Sequence, residues 1–240
     1  MADDDLYNAI VAALEDAGRG TGYVADANEP DPRYRSYGVR APAMKQLIAG
    51  FKPQWRPLDA KRRLALATRL VTSGYGEQQT VALSLLDPLT GHFPPARFDA
   101  VDQLTRHLHG WSKIDAYTGS FLRRIFEAHP VEFLELVKQW NTDEDLWLRR
   151  ASVVLFTRKV AKAGVYTDTA LTLCDNLKHD AQDLVRKGVG WCLKDLMRVE
   201  RKRVLAYVAE LRRQKVSATI TLYALRDIKG KDREAVLAAG

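Results

Sequence analysis

A tryptophan and an aspartate stand four residues apart at Trp111 and Asp115, directly after Gly110. Residues four apart share one face of an α-helix, and a glycine break before them predicts that the pair lies near a helix start. A carboxylate held there can stabilise a developing positive charge and position a water molecule, and an aromatic face favours a cation. Taken alone, the same spacing is more often a core tryptophan and a carboxylate in the first helical turn.

The sequence motifs of several common enzyme classes are absent. There is no GxGxxG after a strand, no Walker-type loop, no HExxH and no GxSxG. The histidines lack the spacing of metal ligands. Cys174 and Cys192 fit neither a CxxC redox pair nor a zinc site, so we predict two buried free thiols. We therefore expect neither a metal nor any other cofactor.

The positive charge of the chain is concentrated in its last quarter. The 240 residues carry a formal net charge of +7. Residues 181–240 contain fourteen Lys and Arg against seven Asp and Glu, which gives the same net charge as the whole chain. A basic region on a folded scaffold predicts a polyanionic partner, with nucleic acid as the first candidate. A solvated basic surface explains the composition equally well.

Helical periodicity runs through nearly the whole chain. Apolar residues recur at helical spacing in residues 6–14, 64–71 and 133–140, and no segment alternates with period two between turn residues. Pro42 and Pro130 each come just before such a stretch, as is typical of proline in a first helical turn. We therefore predict an all-α protein without a sheet.

A weak internal repeat indicates how these helices are arranged. Residues 148–155 (LRRASVVL) align with residues 185–192 (VRKGVGWC), and in both a basic pair is followed by small and then apolar residues. A period of roughly 35–45 residues, with one helical pair in each repeat, predicts an α-solenoid. The repeated basic pair would then line one face of the stack.

Composition and chain ends suggest a single soluble domain. The hydrophobic share of 46% and the charged share of 28% are typical of a folded soluble protein. No apolar run approaches the roughly 20 residues that cross a bilayer, and no linker divides residues 1–240. The acidic start at residues 1–5 lacks the basic segment of a signal peptide, so we expect a cytoplasmic protein.

Four short motifs occur in the order found in the AlkD-like alkylpurine DNA glycosylases, and the chain resembles that family. They are YGVRAP at residues 37–42, WSKID at 111–115, DLWLRRA at 145–151 and KGVGW at 187–191. Their order and spacing make the resemblance far more specific than any one motif. It implies a superhelix of HEAT-like repeats whose concave, positively charged face binds DNA.

The resemblance also implies the reactive residues. The family's catalytic aspartate corresponds to Asp115, and its two active-site tryptophans correspond to Trp111 and Trp191. Gly110 stands where better-known members carry a further tryptophan, and Ser112 replaces an acidic residue within the motif. These departures concern the shape of the lesion site more than its basic chemistry.

DNA-binding residues follow from the same resemblance, with two positions left open. The family's backbone-binding arginine corresponds to Arg150 or to the adjacent Arg149. Lys187 lies one turn before the second tryptophan and would face the same groove. The aromatic residue in the N-terminal part of the family's cleft corresponds to Tyr34 or Tyr37.

The resemblance implies hydrolysis of the N-glycosidic bond of purines alkylated at N3 or N7. Such a base is cationic and already activated, so the reaction needs negative charge beside the sugar and a positioned water. We expect a monofunctional, monomeric enzyme that acts on duplex DNA near the nucleoid. Family members are thought to leave the base largely stacked instead of flipping it into a deep pocket.

Two other functions fit the sequence less well. One is a catalytically silent relative that binds damaged or branched DNA, against which the aligned Asp115 argues. The other is a HEAT-type adaptor for an acidic protein. The preferred lesion stays open among 3-methyladenine, 7-methylguanine and bulky adducts, as does the choice between general repair and self-protection against an alkylating toxin.

Overall fold

The computed structural model describes residues 3–23 and 31–240, which are predominantly helical. Within these residues no β-strand occurs, and Arg35 and Tyr75 form an isolated parallel β-bridge. The prediction of an all-α protein is therefore confirmed. Each helix in the described part of the chain is too short or too polar to cross a lipid bilayer.

The chain forms two compact units, Met1–Pro130 and Val131–Gly240. The prediction of a single domain thus stays a prediction. The helices of the first unit are α1 (Asp3–Gly18), α2 (Ala41–Trp55), α3 (Ala60–Val71), α4 (Gly76–Leu86), α5 (Phe98–Arg106), α6 (Trp111–Tyr117) and α7 (Arg123–Ala128). Short 3-10 turns, Asp87–His92 and Pro95–Arg97, precede α5, and a π-helical turn, Thr118–Leu122, joins α6 to α7.

The second unit continues with further helices. They are α8 (Pro130–Asn141), α9 (Leu146–Val154), α10 (Arg158–Ala163), α11 (Thr167–Asn176), α12 (Asp183–Leu196), α13 (Arg201–Arg213), α14 (Ala218–Ala224) and α15 (Lys231–Leu237). Pro130 begins α8, and Pro42 lies in the first turn of α2, as predicted. Cys174 and Cys192 are buried free thiols, which confirms that prediction as well.

Amphipathic sequence explains the packing of α3 on α4 in the first unit. Asp59 caps α3 by accepting a hydrogen bond from the backbone N–H of Arg62 at 2.8 Å. The buried stripe of α3 includes Leu66 and Leu70 and faces α4. A helix of this length owes most of its stability to such a buried face.

In the second unit, α12 packs against both α9 and α14, and its glycines allow this close approach. A Cβ atom at Gly190 would lie 2.6 Å from the Cβ of Tyr223 and 2.9 Å from the carbonyl oxygen of Ile220 on α14. A Cβ at Gly188 would be 3.4 Å from a methyl group of Val153 on α9. The small residues of the predicted repeat therefore lie where helices meet.

Gly190→Ala tests this packing, with Gly50→Ala as its matched control in the interior of α2. Alanine at position 190 should lower the free energy of unfolding by about 1–3 kcal/mol, because backbone must move to admit the methyl group. Nothing lies within 4 Å of a Cβ at Gly50, so alanine there should stabilise by about 0.5–1 kcal/mol through helix propensity. Urea unfolding followed by circular dichroism measures both, and a Gly190→Ala protein as stable as the wild type would contradict the close approach.

Candidate functional site

A buried carboxylate at the start of α4 fixes the segment that carries the first motif. Glu77 is 3% exposed. Its Oε1 accepts hydrogen bonds from the backbone N–H groups of Gly38 (3.0 Å) and Val39 (3.2 Å), and its Oε2 accepts one from Tyr37 (3.1 Å). The Ser36 hydroxyl donates a further hydrogen bond at 2.7 Å. These donors satisfy a charge that would otherwise be costly to bury.

The conformation of this segment requires its glycine. Gly38 has a φ of +84°, and a Cβ there would lie 2.4 Å from the carbonyl oxygen of Tyr23. A positive φ strains other residues, so only glycine fits the turn without distortion. The segment then passes directly into α2, whose first turn contains Pro42.

Gln79, also on α4, holds the loop that leads into α6. Its side-chain Nε2 donates to the carbonyl oxygen of His107 at 2.7 Å, and its Oε1 accepts from the backbone N–H of His109 at 3.3 Å. Gly110 follows with a φ of +93° and is the N-cap position of α6. A residue with a side chain would be strained at this positive φ, so glycine suits the N-cap position of α6.

Trp111 and Asp115 lie on α6, which begins at Trp111, so the pair is near a helix start as predicted. The Trp111 side chain is 44% exposed and Asp115 is 7% exposed. Trp111 is therefore no core residue, which excludes the alternative interpretation of this tryptophan. A cavity of about 540 Å³ lies beside it, lined by Met44 and Lys45 of α2, Thr80 of α4 and Lys113 among other residues.

The two candidate tyrosines have different surroundings. The Tyr34 ring lies 5.7 Å from the Nζ of Lys113 on α6. The Tyr37 ring stacks on Tyr75 at a centroid distance of 4.1 Å, and its hydroxyl accepts a hydrogen bond from Gln78 at 2.7 Å. Burial raises the pKa of the Tyr37 hydroxyl. The structure thus brings Tyr34 next to α6, whereas Tyr37 contacts Tyr75 and Gln78.

Arg149 and Arg150, at the middle of α9, are both engaged within the second unit. Arg149 donates to Asp180 at 2.6 Å and to the carbonyl oxygens of Asp143 (2.8 Å) and Glu144 (2.7 Å). It therefore ties together the two loops that precede α9 and α12. Arg150 is 4% exposed, so it is not the surface charge that its residue type suggests, and its Nη1 donates to the carbonyl oxygen of Leu184 on α12.

Lys187 lies on α12 and is paired with an acidic residue one turn earlier. Its Nζ is 2.8 Å from Oδ2 of Asp183, and both side chains are 48% exposed. The Lys187 ammonium, together with a hydrogen bond from Thr219, lowers the pKa of the Asp183 carboxyl. The ion pair is consequently present at neutral pH, although pairs this exposed contribute little to stability.

Trp191, four residues further along α12, is partly exposed and held by polar contacts. Its indole Nε1 donates to Oδ2 of Asp195 at 3.1 Å. The guanidinium carbon of Arg158 lies 4.8 Å from the centroid of its ring. The Trp191 side chain is therefore only partly buried, and these two contacts hold it on α12.

Sequence reasoning missed Glu77, Gln79, Asp195 and Arg158. Asp195 follows Trp191 at the same spacing as Asp115 follows Trp111, so a search for repeated W-x-x-x-D would have found it. The polar run at the start of α4 is a weaker signal, because acidic and amide residues in a first helical turn are commonly exposed. Nothing in the local sequence marks Arg158.

Comparisons with known proteins give two findings. A family model described as "DNA alkylation repair enzyme" matches residues 14–228. A solved structure titled as a predicted DNA alkylation repair enzyme from Enterococcus faecalis has the same fold, with a TM-score of 0.68 at 16% sequence identity, over 82% of this chain and 89% of that chain. The search of curated proteins produced no match.

Glu77→Ala tests whether α4 holds the 36–39 segment. We expect a loss of about 3 kcal/mol in the free energy of unfolding, because buried N–H groups left without an acceptor cost roughly 1–3 kcal/mol each. Glu127→Ala is the control. Its carboxylate is 48% exposed and pairs with Arg123 on the same helix, so a change within about 0.5 kcal/mol is expected. Equal losses in the two variants would contradict the role of Glu77.

Proposed function

The chain belongs to the family of DNA alkylation repair enzymes, and we propose that it is a monofunctional DNA glycosylase. It would release cationic N3- or N7-alkylated purines from duplex DNA and leave an abasic site. The family makes DNA the partner. The proposal adds an alkylated duplex as substrate, a monomeric enzyme without a cofactor, and action in the cytoplasm at the nucleoid.

The observation that carries this proposal is an exposed tryptophan one helical turn from a buried aspartate. Tryptophan is enriched among the few residues that contribute most of the binding energy at interfaces. A carboxylate held out of bulk water interacts more strongly with a nearby positive charge than one in solution. Trp111 and Asp115 combine both properties on one short helix.

The proposed chemistry uses a carboxylate and water. The C1′–N9 bond of the alkylpurine breaks, and its electron pair neutralises the cationic base. The oxygen of a water molecule bonds to C1′, and the water proton passes to the Asp115 carboxylate and then to solvent. While C1′ carries positive charge, Asp115 stabilises it electrostatically. The face of Trp111 favours the same cationic species, and we propose that Trp191 contributes an aromatic contact to the DNA.

Other residues bind the DNA in this proposal. Lys187 is the most accessible of the predicted cations, so it contacts a phosphate most readily. Both arginines of the pair make hydrogen bonds within the second unit, so the proposal keeps Arg149 and Arg150 as alternatives for the backbone-binding role. We place Tyr34, not Tyr37, at the lesion, since Tyr34 adjoins α6.

Asp115→Asn tests the catalytic role on duplex DNA that contains one 7-methylguanine. The variant should release base at least about 100-fold more slowly than the wild type, because it loses the charge that stabilises the transition state. Its affinity for the duplex should be unchanged. Single-turnover base release and a binding titration, run side by side, measure the two quantities.

Asp99→Asn on α5 is the control, because it removes an exposed carboxylate of the same unit. It should behave as wild type. Equal rates of base release for Asp115→Asn and wild type would refute the mechanism. Release of neither 7-methylguanine, 3-methyladenine nor a bulky N3 adduct by wild-type protein that binds DNA would refute the glycosylase and leave a non-catalytic DNA-binding protein.

Lys187→Ala and Asp183→Asn should change DNA affinity in opposite directions. Loss of the Lys187 charge removes one phosphate contact, so the slope of log K against log salt should fall by about one. Asp183→Asn removes the carboxylate that partly neutralises Lys187, so binding should tighten at low salt. Titrations of one undamaged duplex at several salt concentrations measure both. Weaker binding by Asp183→Asn would contradict a phosphate-binding Lys187.

A further inference from the structure

One buried carboxylate oxygen of Asp195 accepts two hydrogen bonds that come from different helices. Asp195 lies on α12 and is 3% exposed. Its Oδ2 accepts the indole N–H of Trp191 at 3.1 Å and the backbone N–H of Arg158 at 2.8 Å. The first bond fixes the rotation of the indole about its side-chain torsions. The second fixes the backbone at the start of α10.

Arg158 adopts a backbone conformation that is unusual for its residue type. Its φ is +51°, in the left-handed region that favours glycine. Such strain persists only where surrounding contacts enforce it, and it occurs preferentially at functional positions. Here the hydrogen bond to Asp195 supplies the constraint. The strained backbone places the guanidinium over the Trp191 ring, 4.8 Å from its centroid.

The Arg158 guanidinium remains available to a ligand. The side chain is exposed, and among the described residues no carboxylate or carbonyl oxygen accepts a hydrogen bond from it. An arginine stacked on an aromatic face keeps its N–H donors at the edge, where they can bind a phosphate. Neighbouring Lys194 and Arg198 differ, since both approach Asp227, at 3.7 and 3.3 Å.

The other carboxylate oxygen of Asp195 lies near two cations. Its Oδ1 is buried and accepts no hydrogen bond. It lies 3.5 Å from Nζ of Lys194 and 3.8 Å from Nη2 of Arg198. The carboxylate thus stays in an electropositive environment, as expected beside an anion-binding surface.

We propose that Arg158 binds a DNA phosphate and that Asp195 is the positioning residue that presents it, together with the Trp191 ring, to the DNA. The phosphate contact of Arg158 requires only that DNA is the partner. The role of Trp191 rests in addition on the proposed function. The assignment adds a contact that the sequence motifs do not contain. One carboxylate thereby couples an aromatic contact to a phosphate contact.

The test is the salt dependence of binding to an undamaged 20-base-pair duplex. Arg158→Gln should weaken binding about tenfold, as expected for one lost charge-assisted hydrogen bond, and should lower the salt slope by about one. Asp195→Ala should also weaken binding, although it removes a negative charge that repels DNA. Asp195→Asn keeps an oxygen acceptor for both donors and should retain most of the affinity. The Arg158→Gln/Asp195→Ala double variant should bind no more weakly than the weaker single variant.

Two matched controls separate positioning from general charge. Asp227→Asn removes a carboxylate that faces the same two cations but contacts neither Trp191 nor Arg158, so affinity should stay constant or rise. Arg226→Gln removes an exposed arginine that lies over the Tyr223 ring at 4.3 Å and should change the slope by less than half as much as Arg158→Gln. Equal effects of the two arginine variants would overturn the proposal.

Asp195→Ala protein that folds normally and binds as tightly as wild type would overturn the positioning role. If Asp195→Ala does not fold, Arg158→Gln and Asp195→Asn still decide the matter, because an unchanged salt slope in Arg158→Gln refutes the phosphate contact. Base release is not measured in this experiment. A failure of the proposed glycosylase would therefore show as intact binding without base release, and would be distinct from a failure at Arg158.

Discussion

The first turn of α4 buries three polar side chains, and the first unit depends on the hydrogen bonds they make. Glu77 binds the backbone of residues 36–39, Gln78 binds the hydroxyl of Tyr37, and Gln79 binds the loop before α6. A buried carboxylate or amide without partners is costly, so these groups strongly favour one arrangement of the connecting segments. The position of Trp111 and Asp115 at the start of α6 follows from that arrangement.

In the second unit, close helix packing positions the candidate DNA-binding residues. Gly188 and Gly190 let α9 and α14 approach α12, and this leaves Lys187 and Trp191 at the accessible side of the helix. Buried Asp195 then orients Trp191 as well as the backbone of Arg158. Each unit therefore pairs a tryptophan with a buried aspartate one turn later. In the second unit a hydrogen bond joins the two, and the aspartate acts on the tryptophan and on the arginine.

The buried acidic residues and the exposed basic residues have different roles. Asp115 and Asp195 are buried, whereas Lys187 and Arg158 reach solvent. Buried carboxylates interact strongly with their immediate neighbours, and exposed cations interact with a polyanion at longer range. In the proposed function each buried carboxylate acts on its own immediate neighbours, and the positive groups provide binding that depends on salt and little on sequence.

The sequence by itself determined the all-α class, a helix start near Trp111, the buried thiols and the family, because all of these depend on residue type and on short-range spacing. Only the tertiary structure decided that Tyr34 adjoins α6, that Arg149 is occupied within its own unit, and that Glu77 and Asp195 organise their surroundings. The partners of Glu77 lie about 40 residues away along the chain, and those of Asp195 include one 37 residues away. Contacts at such separations leave no periodic trace in the sequence, since they are formed by the packing of whole helices.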